Sequence, residues 1–151
     1  MARESWDDYF LGLAARAATR STCVRRQVGA VIAQSNRVRS TGYNGSPSGY
    51  GHCSDGACPA GLSQDPTGEN SRSEECIAIH AEANALLHCE TLHREGATIY
   101  CTDFPCFSCA KLISNSGVMR VVYAGGLYAG WEQVRDFMKS CRVLVIGRTH
   151  D

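Results

Sequence analysis

The order of local sequence patterns predicts an α/β fold, in which a five-stranded mixed sheet carries helices on both faces. After residue 96, short apolar runs rich in β-branched residues alternate with amphipathic stretches, which is typical of parallel strands joined by crossover helices. Before residue 46, two apolar runs flank a short polar turn, which indicates one antiparallel hairpin. The 151 residues suit a single domain over 1–151 with one core.

The N-terminal part predicts one helix and the hairpin. Ser5 and Asp8 resemble a capping box, and apolar residues then recur at helical spacing, so a helix is expected over 6–20. The hairpin strands are expected at 27–33 and 38–45, with the turn at 34–37.

A long segment without periodicity separates the hairpin from the alternating part of the chain. Residues 45–75 are rich in Gly, Ser, Pro and Asp, and a loop of this length is unusual inside a compact domain. The later elements are expected as a helix at 75–92, a strand at 97–102, a helix at 106–117, a strand at 118–125, a helix at 130–140 and a strand at 142–148.

The charge and the cysteine content restrict the class of protein. Fifteen basic and fifteen acidic residues give a net charge of zero, which argues against broad electrostatic binding of duplex nucleic acid. The chain shows neither a signal peptide nor an apolar run of membrane-spanning length, so we expect a soluble cytoplasmic protein. Nine cysteines in a reducing compartment favour metal binding or catalysis over disulfides. Cys89, Cys101 and Cys141 are expected to be small buried hydrophobic residues.

The stretch PCFSC suggests half of a metal site. Cys106 and Cys109 are three residues apart and are therefore neighbours on one face of a helix. Pro105 suits the helix start, and a helix N-terminus favours thiolate over thiol. On spacing alone, half of a catalytic zinc site, a redox pair and half of a structural zinc site all stay open.

The stretch HAE offers a third metal ligand. His80 with the two cysteines would make three protein ligands and leave one zinc position for water, which is the catalytic pattern. Zinc makes that water a usable nucleophile at neutral pH, and Glu82 would move protons without binding the metal. Because residues i and i+2 do not share a face in mid-helix, this pair is expected in the first turn of a helix pointing end-on at the pocket.

Joined together, the two stretches match the zinc deaminase signature, with 22 residues between H-A-E and P-C-F-S-C. Each motif opens one of two predicted helices, and a strand lies between them. The sequence therefore predicts a hydrolytic deaminase with zinc on His80, Cys106 and Cys109 and with Glu82 as the catalytic proton carrier.

The chain resembles the deoxycytidylate (dCMP) deaminase family of the cytidine deaminase-like superfamily. The resemblance extends over residues 6–148 and rests on STCVRRQVGAVI (21–32), TGYNGSPSG (41–49), HAEANAL (80–86) and FPCFSCAKLISNSGV (104–118). It implies a three-layer αβα sandwich and the hydrolysis of dCMP to dUMP and ammonia, which feeds thymidylate synthesis. It also implies a homo-oligomer, a hexamer or a dimer, with regulation by dCTP and dTTP.

The substrate contacts are expected around the two motifs. The resemblance implies that the backbone N–H of Ala81 donates to the pyrimidine O2 and that Asn44 contacts the sugar. A nucleotide phosphate needs a cation or helix N-terminal amides, and Arg25 and Arg26 are the local candidates. Tyr128 is expected to close over the base or the sugar.

The long loop predicts a second, structural zinc ion. Cys53 and Cys58 lie in it, Cys76 follows it, and the family resemblance brings Cys23 near the same loop. Four thiolates would make a closed tetrahedral site without a catalytic role. His52 is the alternative to Cys23. Some relatives carry a comparable second zinc held by a mixture of Cys, His and Glu.

Three alternatives to a dCMP deaminase remain at this point. A deaminase of another cytosine nucleotide, such as CMP or a 5-modified dCMP, would use the same metal site. A non-catalytic zinc-binding interaction module would not need Glu82. A deaminase of polymeric nucleic acid is disfavoured by the zero net charge and the few aromatic residues. We therefore expect a small nucleotide as the substrate, and neither polymeric nucleic acid nor a membrane as a partner.

Overall fold

The computed structural model describes residues 1–62 and 76–148 and contains a five-stranded sheet of order β2-β1-β3-β4-β5. The strands are β1 (Gly29–Gln34), β2 (Arg37–Tyr43), β3 (Thr98–Asp103), β4 (Arg120–Gly125) and β5 (Leu144–Gly147). The helices are α1 (Trp6–Ala18), α2 (Pro59–Leu62), α3 (Ala81–Leu87), α4 (Thr91–Arg94), α5 (Phe107–Ser114) and α6 (Trp131–Ser140), and a 3-10 turn covers Cys53–Asp55. The expected order of elements is confirmed, and α2, α4 and the 3-10 turn are additional.

The sheet is mixed, as expected, but it is less parallel than the sequence suggested. β1 is antiparallel to both β2 and β3, whereas the pairs β3–β4 and β4–β5 are parallel. The hairpin reverses the chain, and the connection through α3 then places β3 on the free side of β1, parallel to β2. The expectation of a single antiparallel pair was therefore wrong, because β3 joins the sheet beside the first strand of the hairpin.

Helices cover both faces of the sheet, which confirms the three-layer αβα arrangement. On one face, α1 packs in a hydrophobic cluster that includes Tyr100 of β3. On the other face, α3, α5 and α6 pack in a cluster that includes Ile99 of β3. Ser5 caps α1, since its Oγ accepts a hydrogen bond from the Asp8 amide at 3.1 Å and donates one to the Asp8 carboxylate at 2.6 Å. All five strands of the described residues belong to this one sheet. The single domain over 1–151 stays a prediction.

The helix expected over 75–92 is much shorter than its sequence pattern. It begins at Ala81. Residues 76–80 are not helical, because Ile79 forms an antiparallel bridge with Gly45 through two backbone hydrogen bonds of 2.8 and 3.1 Å. The same pattern is interrupted after Leu87, before the short helix α4. His80 is consequently the N-cap of α3, which agrees with the first-turn position expected for the HAE motif and not with the expected helix bounds of 75–92.

Helix α3 lies against β2 at a glycine. A Cβ atom on Gly42 would clash with the Ala81 carbonyl oxygen and would lie 2.6 Å from the Ala85 amide nitrogen. On the same strand, Ser40 donates a hydrogen bond from Oγ to the Ala85 carbonyl oxygen at 2.6 Å. These contacts determine how deeply the first turn of α3 sits on the sheet.

The cysteines outside the predicted metal sites differ in burial. Cys89 and Cys101 are buried, as expected. Cys141 is exposed, so its expected burial was wrong. It is the C-cap residue of α6, where the chain turns towards β5, and such connections lie at the surface.

Candidate active site

Two helix N-termini meet in one cleft and carry the predicted zinc ligands. His80 is the N-cap of α3, and Cys106 is the N-cap of α5, where its Sγ accepts the Cys109 amide at 3.5 Å. The ligand atoms of His80, Cys106 and Cys109 all lie within 4.8 Å of one another. The structure therefore brings together the three ligands that were predicted from two separate motifs.

This set of donor atoms fits a zinc ion. The Nδ1 atom of His80 lies 3.3 Å from the Cys106 Sγ and 3.5 Å from the Cys109 Sγ, so one imidazole nitrogen faces both sulfurs. Zinc prefers such nitrogen and thiolate donors, and three protein ligands leave one position for water. Within residues 1–62 and 76–148, this compact group contains no fourth His, Cys, Asp or Glu.

The electrostatics of the three ligands also favour a cation. A hydrogen bond with Cys109, aided by one with His80, lowers the pKa of the Cys106 thiol to about 4. The same contact with Cys106 raises the pKa of Cys109, and a hydrogen bond with Cys106 raises the pKa of His80. The group thus holds protons that a divalent metal ion would displace.

Glu82 lies in the same cleft as the three ligands, and its expected role in proton transfer stays a prediction. It lies in the first turn of α3, is only 4% exposed, and is not a member of the compact ligand group. Burial raises the pKa of its carboxyl group. A carboxyl group with a raised pKa beside a metal site is suited to accepting and returning a proton near neutral pH.

A cleft of about 800 Å³ opens beside the metal ligands. This volume is within the range of small-molecule sites in proteins. His80 and Glu82 line the cleft together with all the residues that the sequence predicted to bind substrate: Arg25, Arg26, Asn44, Ala81 and Tyr128. The substrate contacts themselves stay predictions.

Asn44 lines the cleft and forms hydrogen bonds with the chain segment that precedes β1. Its Oδ1 accepts the Val28 amide at 2.8 Å, and its Nδ2 donates to the Arg26 carbonyl oxygen at 2.8 Å. Its own carbonyl oxygen accepts a hydrogen bond from Ser21 Oγ at 2.7 Å. These bonds fix the segment before β1, so a sugar contact through Asn44 would use its second amide hydrogen or the second lone pair of Oδ1.

Tyr128 forms a wall next to the metal ligands. Its hydroxyl group donates a hydrogen bond to the Pro105 carbonyl oxygen at 2.7 Å. Its ring packs edge-on against Phe104, with 6.0 Å between the ring centroids. The ring is therefore anchored beside the start of α5, and its expected closure over the base or sugar stays a prediction.

Asp103 is a residue of this cleft that the sequence analysis missed. It is the last residue of β3, and its Oδ2 lies 2.7 Å from the Nε of Arg26. The available signal was a polar residue at the carboxyl end of a strand, two residues before PCFSC.

The four cysteines proposed for a second zinc line the same cleft. Cys53 and Cys58 are buried, and Cys76 packs against them. Burial raises the pKa of Cys53 to about 11, and its hydrogen-bond partner Cys58 adds to this effect. Burial also raises the pKa of Cys76, and Cys23 lies close enough to raise the pKa of both Cys53 and Cys76 further.

Cys58 differs from its neighbours because its pKa is lowered instead of raised. Burial opposes its ionisation, but backbone hydrogen bonds outweigh burial and lower its pKa; they come from Ile77, Gly61 and Ala60. The thiolate is the form of cysteine that binds metals. The exposed position of His52 and the proximity of Cys23 favour Cys23 as the fourth ligand. Zinc binding by these four residues stays a prediction.

Comparisons with known proteins agree with the geometry of the site. Residues 4–125 match the family model described as cytidine and deoxycytidylate deaminase zinc-binding region. The chain is 51% identical over 126 residues to the deoxycytidylate deaminase of Mycobacterium phage D29, which covers 82% of this chain and 97% of the phage protein. It is 43% identical over 123 residues to the deoxycytidylate deaminase of Schizosaccharomyces pombe, but these residues cover only 37% of the yeast protein.

A solved structure shows the same architecture. The structure of the dCMP deaminase from cyanophage S-TIM5, in complex with dCMP and dUMP, superimposes with a TM-score of 0.74 at 26% identity. The match covers 98% of this chain and 100% of the cyanophage chain. The matched range, 4–125, contains the positions of His80, Glu82, Cys106 and Cys109, whose catalytic roles stay predictions. The chain therefore belongs to the cytidine and deoxycytidylate deaminase family.

Proposed function

We propose that this chain is a zinc-dependent deoxycytidylate deaminase, which converts dCMP and water to dUMP and ammonia. The observation that carries this proposal is the compact group His80, Cys106 and Cys109 in one cleft with the buried carboxyl group of Glu82. The choice of dCMP is supported by the phage D29 relative, which bears that name, and by the cyanophage enzyme with its bound dCMP and dUMP.

The chain's own residues provide the proton transfers of this reaction. His80, Cys106 and Cys109 would hold the zinc ion, which would supply a water molecule of lowered pKa as the nucleophile. Glu82 accepts a proton from the attacking water and delivers it to N3 of the cytosine ring. It then carries the second proton of that water to the amino group, so the bond from C4 to nitrogen breaks and ammonia leaves. The Ala81 amide, at the first residue of α3, holds the ring by donating to O2.

A substrate panel tests the proposal. Ammonia release is measured with zinc-loaded protein on dCMP, CMP, 5-methyl-dCMP, dCTP, deoxycytidine and cytidine. We expect the highest kcat/KM for dCMP. A higher kcat/KM for CMP or 5-methyl-dCMP would identify that nucleotide as the substrate and would still support hydrolytic deamination. No ammonia release from any of the six compounds would favour a non-catalytic zinc-binding module.

We also propose that Cys23, Cys53, Cys58 and Cys76 bind a second, structural zinc ion. The packing of Cys76 on the buried pair Cys53 and Cys58 supports this. Among the described residues, their sulfur atoms are less compactly grouped than the ligand atoms of His80, Cys106 and Cys109, so zinc binding would draw the four sulfurs together. Metal analysis should then find two zinc ions per chain. The change Cys53→Ser should remove one of them, whereas the exposed Cys141→Ser serves as a control and should keep both. One zinc in the wild-type protein, together with rapid alkylation of Cys53 and Cys58, would contradict a second site.

We further propose that the chain forms a homo-oligomer, a dimer or a hexamer, whose activity responds to dCTP and dTTP. Leu87 and Leu92 expose apolar side chains outside the cleft and support an association surface. Sedimentation velocity measures the assembly with and without each nucleotide, and ammonia release measures the response. A monomer whose rate neither nucleotide changes would contradict this proposal.

Among residues 1–62 and 76–148, no helix is both long and apolar enough to cross a bilayer. A cytoplasmic location is proposed separately, on the basis of nine cysteines without a disulfide among the described residues. Fractionation of cells that express the protein would test this location.

A further inference from the structure

An ion pair lies in the cleft at the end of the strand that leads to the metal ligands. The Nε atom of Arg26 and the Oδ2 atom of Asp103 are 2.7 Å apart, and the two side chains are 57% and 22% exposed. Asp103 ends β3, and Cys106 follows three residues later, a stretch that spans at most about 10 Å. The ion pair therefore lies within the length of one nucleotide from the metal ligands.

Both partners of this ion pair are held in position. The carbonyl oxygen of Arg26 accepts the Nδ2 hydrogen bond from Asn44 at 2.8 Å, which fixes the backbone that carries the guanidinium group. Asp103 is paired with Gly125 in the β3–β4 register. Gly126 packs so closely that a Cβ atom there would lie 2.6 Å from the Asp103 side chain. The carboxylate is consequently confined and presents a fixed acceptor to Arg26.

The contact at Nε leaves terminal N–H donors of the Arg26 guanidinium group for a ligand. Arginine has five N–H donors in one rigid plane, and Nε carries only one of them. The edge formed by the two terminal nitrogens matches two oxygens of a phosphate group in a bidentate contact. Arg25 and Glu82 line the same cleft, so the two arginines and the two carboxyl groups there sum to a formal net charge of zero. Binding of a phosphate therefore depends on the orientation of a guanidinium group and not on an excess of positive charge.

We propose that Asp103 is a positioning residue, which holds the Arg26 guanidinium group across the cleft so that it selects a substrate carrying a 5′-phosphate. This inference deepens the proposed deamination of dCMP and rests on it for the identity of the substrate. Asp103 itself does not touch the substrate. A free arginine side chain samples many rotamers, and a fixed guanidinium group loses less conformational entropy when the phosphate binds.

The test compares nucleotide with nucleoside in wild type and variants. In Asp103→Asn, the pairing charge is lost while size is kept, and kcat/KM for dCMP should fall about tenfold, through KM, in line with the loss of one positioned charge-assisted contact. Deoxycytidine, which lacks the phosphate, should change by less than about twofold. Asp136→Asn is the matched control, because Asp136 forms an ion pair with Arg135 Nε at 3.0 Å outside the cleft.

A double-mutant cycle separates positioning from a general effect on the fold. In Arg26→Ala, the same nucleotide preference should be lost, and adding Asp103→Asn should then cost nothing further. Arg26→Lys keeps a cation without the planar donors and should resemble Asp103→Asn; this variant keeps the test decisive if Asp103→Asn fails to fold. Equal losses on dCMP and deoxycytidine, or tighter dCMP binding in Asp103→Asn, would overturn the positioning role.

Binding measurements distinguish this inference from the proposed function. Calorimetry compares the affinity for dUMP with that for deoxyuridine, and wild type should prefer dUMP while Asp103→Asn should lose that preference. Such a result in a protein that releases no ammonia from dCMP would support the role of Asp103 and contradict the deamination. If the enzyme deaminates dCMP but Asp103→Asn keeps the wild-type preference for dUMP, the deamination is supported and the role of Asp103 is contradicted.

Discussion

Replacing Glu82 by Gln should abolish turnover and leave the metal bound. Glu82 is only 4% exposed, so bulk water has little access to replace its carboxylate as a proton carrier. A general acid–base step contributes a factor of about 10² to 10⁴, and Glu82 serves two such steps, at N3 and at the leaving amine. With the lower factor for each step, kcat should fall about 10⁴-fold, which corresponds to about 5.5 kcal/mol.

The fold and the zinc content should not change in this variant. Gln keeps the size of Glu, and an uncharged amide is less costly to bury than a carboxylate, so the thermal midpoint should be no lower than in wild type. Zinc should stay bound, because Glu82 lies outside the compact group of ligands. Metal analysis and ammonia release are measured on the same preparation at saturating dCMP.

The matched control is Glu90→Gln, an exposed carboxylate at the N-cap of α4, and it should keep the wild-type rate. Turnover of zinc-replete Glu82→Gln within about tenfold of wild type would refute the assigned proton transfers. Loss of zinc from that variant would show instead that Glu82 supports the metal.

Three further predictions concern other contacts. Cys106→Ser should lose the catalytic zinc and the activity together, as measured by metal analysis and ammonia release, and an active variant with full zinc would contradict its role as a ligand. Arg25→Ala should weaken dCMP relative to deoxycytidine by about tenfold or more, since a charge-assisted hydrogen bond contributes about 1.5–3 kcal/mol, and equal losses would show an effect on the fold. Asp7 accepts two hydrogen bonds from Arg120, at 2.7 and 2.9 Å, and these lower its pKa below 3.8. A lowered carboxyl pKa stabilises the fold fully above the unfolded-state pKa, and this stabilisation is lost as the pH falls towards the folded-state pKa. Asp7→Asn should therefore reduce the free energy of unfolding by about 1.5–3 kcal/mol near pH 7, and the difference from wild type should shrink below about pH 4. A difference in denaturant titrations that is constant with pH would contradict the ion pair.

The catalytic centre was predictable because its information is local in the sequence. The spacing of His80 and Glu82 excluded a mid-helix position, and the structure places His80 at the N-cap and Glu82 in the first turn. The spacing of Cys106 and Cys109 likewise located the start of α5. In both motifs the required chemistry restricts the backbone to one arrangement, so the residues alone indicated the geometry.

The features that were missed depend on contacts between distant segments. The helical pattern of 75–92 did not reveal that Ile79 pairs with Gly45, which keeps the residues before α3 out of the helix. Periodicity also cannot indicate that β3 lies beside β1, since strand order is a property of the whole sheet. Asp103 was overlooked because its partner, Arg26, is 77 residues away and only the fold brings the two together.

The absence of a side chain at Gly42 has a consequence for anyone who builds mutant libraries of this enzyme. Gly42 makes no contact with substrate in the proposed reaction, yet any larger residue there would push against Ala81 and Ala85. His80 and Glu82 would move with that helix, and small misplacements of catalytic groups cost large factors in rate. A screen for activity should therefore reject almost every substitution at this position, whereas Gly12, where a Cβ atom would have no neighbour within 4 Å, should tolerate many.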